Sequence, residues 1–193
     1  METERAGLPI RSFADAATWQ AWLVAEPRCS AGVWLKLARQ SAGAASVSRG
    51  EAIDAALCHG WIDGQLNPFD DAWWLIRFTP RKPRSKWSAN NRRRAEELAA
   101  AGRLAPAGLA EIEAAKADGR WQAAYASASK ATVPDDLAAA LDAEPRARAF
   151  FDTLAGANRY AILYRIHDAK KPETRAARIA RFVAMCARGE TVH

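Results

Sequence analysis

Methionine, cysteine, histidine and tyrosine are scarce in this chain, with 2, 3, 3 and 3 residues among 193. The three cysteines, Cys29, Cys58 and Cys186, are odd in number and show no CxxC spacing, which argues against a disulfide framework or a zinc site and predicts reduced thiols. No metal and no cofactor is expected. Long apolar runs are missing too: nothing approaches the roughly 20 consecutive apolar residues a membrane span requires, and the opening METERAGLPIRSFADA lacks the apolar stretch of a secretion signal. A cytoplasmic location is predicted. There is no Gly-rich phosphate loop, no GxSxG and no HExxH, so the familiar signatures of nucleotide binding, serine hydrolysis and zinc proteolysis are all absent.

Alanine and tryptophan are plentiful. The 46 alanines supply about half of the 50% apolar share, and the 8 tryptophans must carry much of the core. Seven of them (Trp19, Trp22, Trp34, Trp61, Trp73, Trp74 and Trp87) precede residue 90, and only Trp121 follows, so the two halves differ in kind. Charge is equally uneven. Of a net +6, the stretch from Ala72 to Ala95 holds eight cations (Arg77, Arg81, Lys82, Arg84, Lys86, Arg92, Arg93, Arg94) and no acid, leaving the remainder at −2. A concentrated patch of this kind attracts phosphate, carboxylate or anionic lipid.

The local signals predict an α+β chain. Asp15 can cap a helix bearing Trp19, Trp22 and Leu23 on one face, with Pro27 as its stop. Gly32–Leu37 reads as a strand with Val33, Leu35 and Leu37 on one side. Ser48 and Glu51 form a capping box for a helix presenting Ile53, Ala56 and Leu57 and ending at Gly60. Trp61–Leu66 and Ala72–Thr79 read as a hairpin, which predicts a small antiparallel sheet of about three strands. Past Pro83 the pattern is helical. Gly102 and Gly119 stand at expected stops, Pro106, Pro134, Pro145 and Pro172 punctuate the helices, and Ile179, Phe182, Val183 and Cys186 form the buried stripe of the last one. One domain, 1–193, is expected to fold as a unit, with an α+β part at 1–83 and a helical part at 84–193.

Two segments stand out: Ala56-Leu57-Cys58-His59-Gly60-Trp61-Ile62-Asp63-Gly64, and Pro80-Arg81-Lys82-Pro83-Arg84-Ser85-Lys86-Trp87-Ser88-Ala89-Asn90-Asn91. In order and spacing they resemble the ALCxGWIDG and PRKxxSxWSxxN segments of the bacterial YdeI/OmpD-associated, or bacteriocin-protection, family, and the stretches Gly102–Leu109 and Lys171–Arg175 extend the likeness from Phe13 to Gly189. The resemblance implies a role in envelope stress or protection from bacteriocins and cationic peptides, with no reaction attached. His59 departs from it, standing where the family more often has an aromatic residue.

Independently of the family, Pro80 and Pro83 hold the chain extended, so that Arg81, Lys82 and Arg84 are displayed from a stiff strap. Ser85 or Ser88 can cap the following helix and place its positive end beside those cations, a favourable arrangement for an anion. Trp61 and Trp87 offer stacking faces, and Asp63 and Asn91 supply polar partners. The candidate ligand-binding set is therefore Trp61, Asp63, Arg81, Lys82, Ser85, Trp87, Ser88 and Asn91, with no catalytic residue assigned. The leading expectation is a non-enzymatic module for an anionic small molecule or macromolecular surface. An enzyme acting on a small phosphorylated or carboxylated substrate, with Asp63 as base, is the alternative, and single-stranded nucleic-acid binding through interleaved Trp and Arg is a third. Cys58 reads as a buried structural thiol and His167 as a helix-end residue. The oligomeric state is open.

Overall fold

The computed structural model describes residues 3–26 and 30–193. The expected stop at Pro27 and the thiol of Cys29 lie outside them. The chain forms two compact units, one built from residues up to 87 and from 91–123, the other from 88–90 and 124–193.

The first unit is a five-stranded sheet with helices. Its strands are β1 (Glu4–Arg5), β2 (Leu8–Ser12), β3 (Val33–Ala38), β4 (Trp61–Pro68) and β5 (Trp73–Pro80), in the order β1-β2-β3-β5-β4. The antiparallel trio β3-β5-β4 is the sheet foreseen from the hairpin. The expectation of about three strands was too few, because the residues before Phe13 add β1 and β2. β2 runs parallel to β3, with Ile10 opposite Trp34, so the sheet is mixed.

Period-two alternation puts Val33, Leu35 and Leu37 on one face, where they meet Trp19 and Leu23 of α1 (Ala16–Ala25) and Ala52, Ala55 and Ala56 of α2 (Arg49–Cys58). Both helices begin as the sequence predicts. The Asp15 carboxylate accepts the Thr18 N–H at 2.8 Å, and Ser48 and Glu51 satisfy each other's backbone N–H groups at 3.3 and 3.0 Å. Trp19 donates its indole N–H to Ala52 O at 3.1 Å, so even a fully buried ring has its polar edge satisfied.

Two further helices complete this unit: α3 (Ala89–Ala100), whose part from Asn91 onward belongs to it, and α4 (Pro106–Ala117). Gly102 and Gly119, at φ +65° and +79°, follow their C-termini as expected.

In the second unit the helices are α5 (Asp135–Asp142), α6 (Pro145–Thr153), α7 (Gly156–His167) and α8 (Pro172–Ala187). Ile179, Phe182 and Cys186 of α8 are buried together with Leu137, Leu141, Phe151, Ile162 and Ile166, with Val183 packed at the margin. The Arg175 guanidinium grips both oxygens of Asp136, tying α8 to α5 and holding that carboxyl below its ordinary range. Ser88 belongs to this unit through a bridge with Tyr125.

Candidate functional site

The strap follows β5 directly. Arg81 donates its backbone N–H to Gly60 O at 3.0 Å, which joins the strap to the chain just past the end of α2. Lys82-Pro83-Arg84-Ser85 then closes a tight turn: Ser85 N–H reaches Lys82 O at 2.9 Å, and the Ser85 hydroxyl accepts Lys82 N–H at 2.9 Å. Proline in the second position and a positive φ in the third are the marks of a type II turn. The third residue is usually glycine; here it is Arg84, at φ +69°. Left-handed backbone costs a non-glycine residue about 1–2 kcal/mol, and a β-branched one more. Arg84→Gly is expected to keep wild-type stability, and Arg84→Val to lose about 1–2 kcal/mol, as read from urea midpoints.

Arg81 folds inward. Only 5% exposed, it lays its guanidinium 3.5 Å from the centroid of the Trp87 ring and donates to Lys86 O at 3.3 Å. Trp87, itself 2% exposed, meets Trp121 edge-on at 4.8 Å, and Arg120 donates to Ser85 O at 2.8 Å. Both ends of the turn are therefore clamped, leaving Lys82, Arg84 and Lys86 exposed on a fixed loop.

The cation count changes accordingly. Arg94 binds Asp54 at 2.7 Å and Gly50 O at 2.9 Å, Arg93 pairs with Glu97 at 2.5 Å, and Arg92 lies 3.8 Å from Glu96 while donating to Trp121 O. Much of the repulsion expected among eight cations is thus relieved within the chain by acids outside the segment. Among the described residues Lys82 and Arg84 form no ion pair.

The candidate residues fall into small groups. Asn91 donates Nδ2 to Asp63 Oδ1 at 2.9 Å, linking α3 to β4. Asp63 is positioned by a bulge: Gly64 and Gln65 together face Arg77 between the pairs Asp63–Phe78 and Leu66–Ile76. Trp61 is 1% exposed and packs edge-on against Trp22 at 5.7 Å, so it belongs to the core and offers no stacking face. The face of Trp87 is covered by Arg81. Ser85 does not cap α3, because its hydroxyl is committed to the turn. Arg120 and Trp121 were missed as site residues; the lone tryptophan of the second half, preceded by an arginine, was their signal.

Cys58 is buried, and burial pushes its thiol above the ordinary range, as suits a structural residue. His59 Nε2 is buried without a hydrogen-bond partner, and desolvation lowers its pKa below 6.5. The unfolded chain therefore binds this proton first as the pH drops, so stability is unaffected above about 6.5 and declines below it until the folded-state pKa is reached. Urea midpoints measured between pH 7.5 and 5.5 should fall in the wild type and flatten in His59→Gln. Among the described residues no three His, Cys, Asp or Glu side chains gather as a metal ion would need, and no helix is long and apolar enough to cross a membrane.

A family model described as a domain of unknown function (DUF8412) matches residues 11–111, and one described as Bacteriocin-protection, YdeI or OmpD-Associated matches residues 130–189. The first match spans both motif segments and the strap. The second lies on α5 to α8, so the bacteriocin-protection likeness is found in the helical unit. Among curated proteins and solved structures nothing matches.

Proposed function

We propose a function for a chain that belongs to the DUF8412 family and whose residues 130–189 match the model described as Bacteriocin-protection, YdeI or OmpD-Associated: it is a cytoplasmic module of the stress or bacteriocin-protection type that binds an anionic ligand or partner surface through Lys82, Arg84 and Lys86. The observation that carries this reading is the clamped turn. Two hydrogen bonds between Lys82 and Ser85 and the Arg81–Trp87 stack hold the loop rigid, while its outer cations stay in solvent. A preordered loop loses little conformational entropy when an anion arrives. Arg81 serves this site as scaffold, positioning the turn rather than touching the ligand.

The test is binding of inorganic pyrophosphate, phosphatidylglycerol vesicles and a single-stranded oligonucleotide at low salt. Lys82→Gln/Arg84→Gln removes two exposed charges without touching the clamp. Affinity for the anion that binds should fall about 30-fold, at about 1 kcal/mol per cation. Preference for the oligonucleotide would select the nucleic-acid alternative, and undiminished binding by the double variant would remove the strap from consideration.

A further inference from the structure

A cleft that shares no residue with the strap opens at the other end of β5. After Ala38 the chain passes Arg39, a short 3-10 turn (Gln40–Ala42) and Gly43, then returns through Ser46 to Ser48 at the start of α2. Leu66 of β4 and Trp74 of β5 face this loop, enclosing about 410 Å³. That is within the range of about 300–1,000 Å³ typical of small-molecule sites.

The lining is of two kinds. Leu37 and Val47 are buried apolar residues, and Leu66, 39% exposed, is one of three large apolar side chains in solvent among the described residues. The charged residues are Arg39 and Arg49; no acid lines the cleft. Arg39 lies 4.0 Å from the Trp74 ring centroid and donates Nε to Asp70 O at 3.2 Å, so its guanidinium is oriented in advance. Arg49 is exposed at the first position of α2 and forms no ion pair among the described residues. Glu51, the acid of that turn, is folded back on Ser48 N–H. The walls are pinned as well: Ser46 Oγ accepts Ala38 N–H at 3.1 Å and donates to Val47 O at 3.0 Å, while Val47 N–H reaches Phe13 O at 3.0 Å.

We infer that this cleft binds an amphipathic organic anion, a carboxylate, sulfonate or phosphate borne on an apolar or aromatic body. An inorganic anion would leave the apolar floor of Leu37, Val47 and Leu66 wet. A neutral apolar molecule would leave the two arginines that line the cleft without a counter-charge. The anionic head lies against Arg39 and Arg49, and the body lies on Leu66 and the floor.

The probe is 8-anilinonaphthalene-1-sulfonate, followed by fluorescence on the folded chain, with N-phenyl-1-naphthylamine as the same ring system without the sulfonate. One saturable site is expected, with the sulfonate bound at least about tenfold more tightly than the neutral amine. Arg49→Glu should weaken the sulfonate by at least about tenfold; an acid at the first helical position suits α2, so the fold is retained. Leu66→Gln should weaken both probes. Lys82→Gln/Arg84→Gln should leave both unchanged, which separates this site from the strap. Equal binding of the two probes, an Arg49→Glu variant indistinguishable from wild type, or absence of a saturable site would each overturn the inference.

Discussion

Gly108→Ala is expected to destabilise the first unit by about 3 kcal/mol, an unusually large effect for adding one methyl group. A Cβ at Gly108 would stand 2.4 Å from Cys58 O and 2.8 Å from Leu57 O. Both are backbone atoms of the last turn of α2 and cannot rotate away. The same junction is closed from the other side, where Gly60, at φ +75°, has Ala107 O 2.9 Å from the place its Cβ would take, and Ala105 donates its N–H to Cys58 O at 3.1 Å. The end of α2 and the start of α4 thus touch backbone to backbone. Relief requires the helices to part, and the displacement passes to Gly60, whose carbonyl holds Arg81. Anion binding should therefore weaken along with stability. Gly119→Ala is the control: it has open space around it but φ +79°, so its cost is only the left-handed backbone, about 1 kcal/mol. Urea unfolding followed by circular dichroism distinguishes the two.

Trp87→Ala should cost about 3–5 kcal/mol, the range for emptying a buried aromatic site. Three losses combine there. The cavity removes the contacts of a ring 2% exposed, the edge-on pairing with Trp121 disappears, and the Arg81 guanidinium keeps its burial while losing the π face beneath it. The last two are worth about 1 and 2 kcal/mol respectively in comparable settings. Trp87→Phe should recover part of the loss. A double-mutant cycle with Arg81→Met isolates the stacking, and a coupling above about 0.5 kcal/mol is expected for groups in direct contact. Neither residue is placed against the ligand, so their effect on binding should follow the ordering of the turn. The exposed pair Lys82 and Arg84 should show the opposite pattern, with binding lost and stability kept.

What could be read from the sequence was governed by local chemistry. The caps at Asp15 and Ser48, the stops at Gly60, Gly102 and Gly119, the β4–β5 hairpin and the stripe of α8 depend on neighbours within a few residues, and the structure has them all. β2 escaped because it carries Pro9, is five residues long and takes its place by parallel pairing with β3, more than twenty residues away. Pro80 and Pro83 predict an extended strap, whereas Pro83 stands second in the tight turn Lys82–Ser85, and nothing local announced that Arg81 would fold beneath it. That depends on Trp87 meeting Trp121 and on Arg120 reaching Ser85, contacts across more than thirty residues. The eight cations looked unrelieved for a similar reason: Glu96 and Glu97 stand just past the acid-free stretch, and Asp54 lies forty residues before its partner Arg94.

The claim that the clamped turn is where an anion docks is tested most directly by following backbone amide resonances during a pyrophosphate titration. Saturable shifts should concentrate at Lys82, Arg84, Ser85 and Lys86. Shifts that saturate elsewhere while these four amides stay still, or no saturable shift at any amide, would contradict the account.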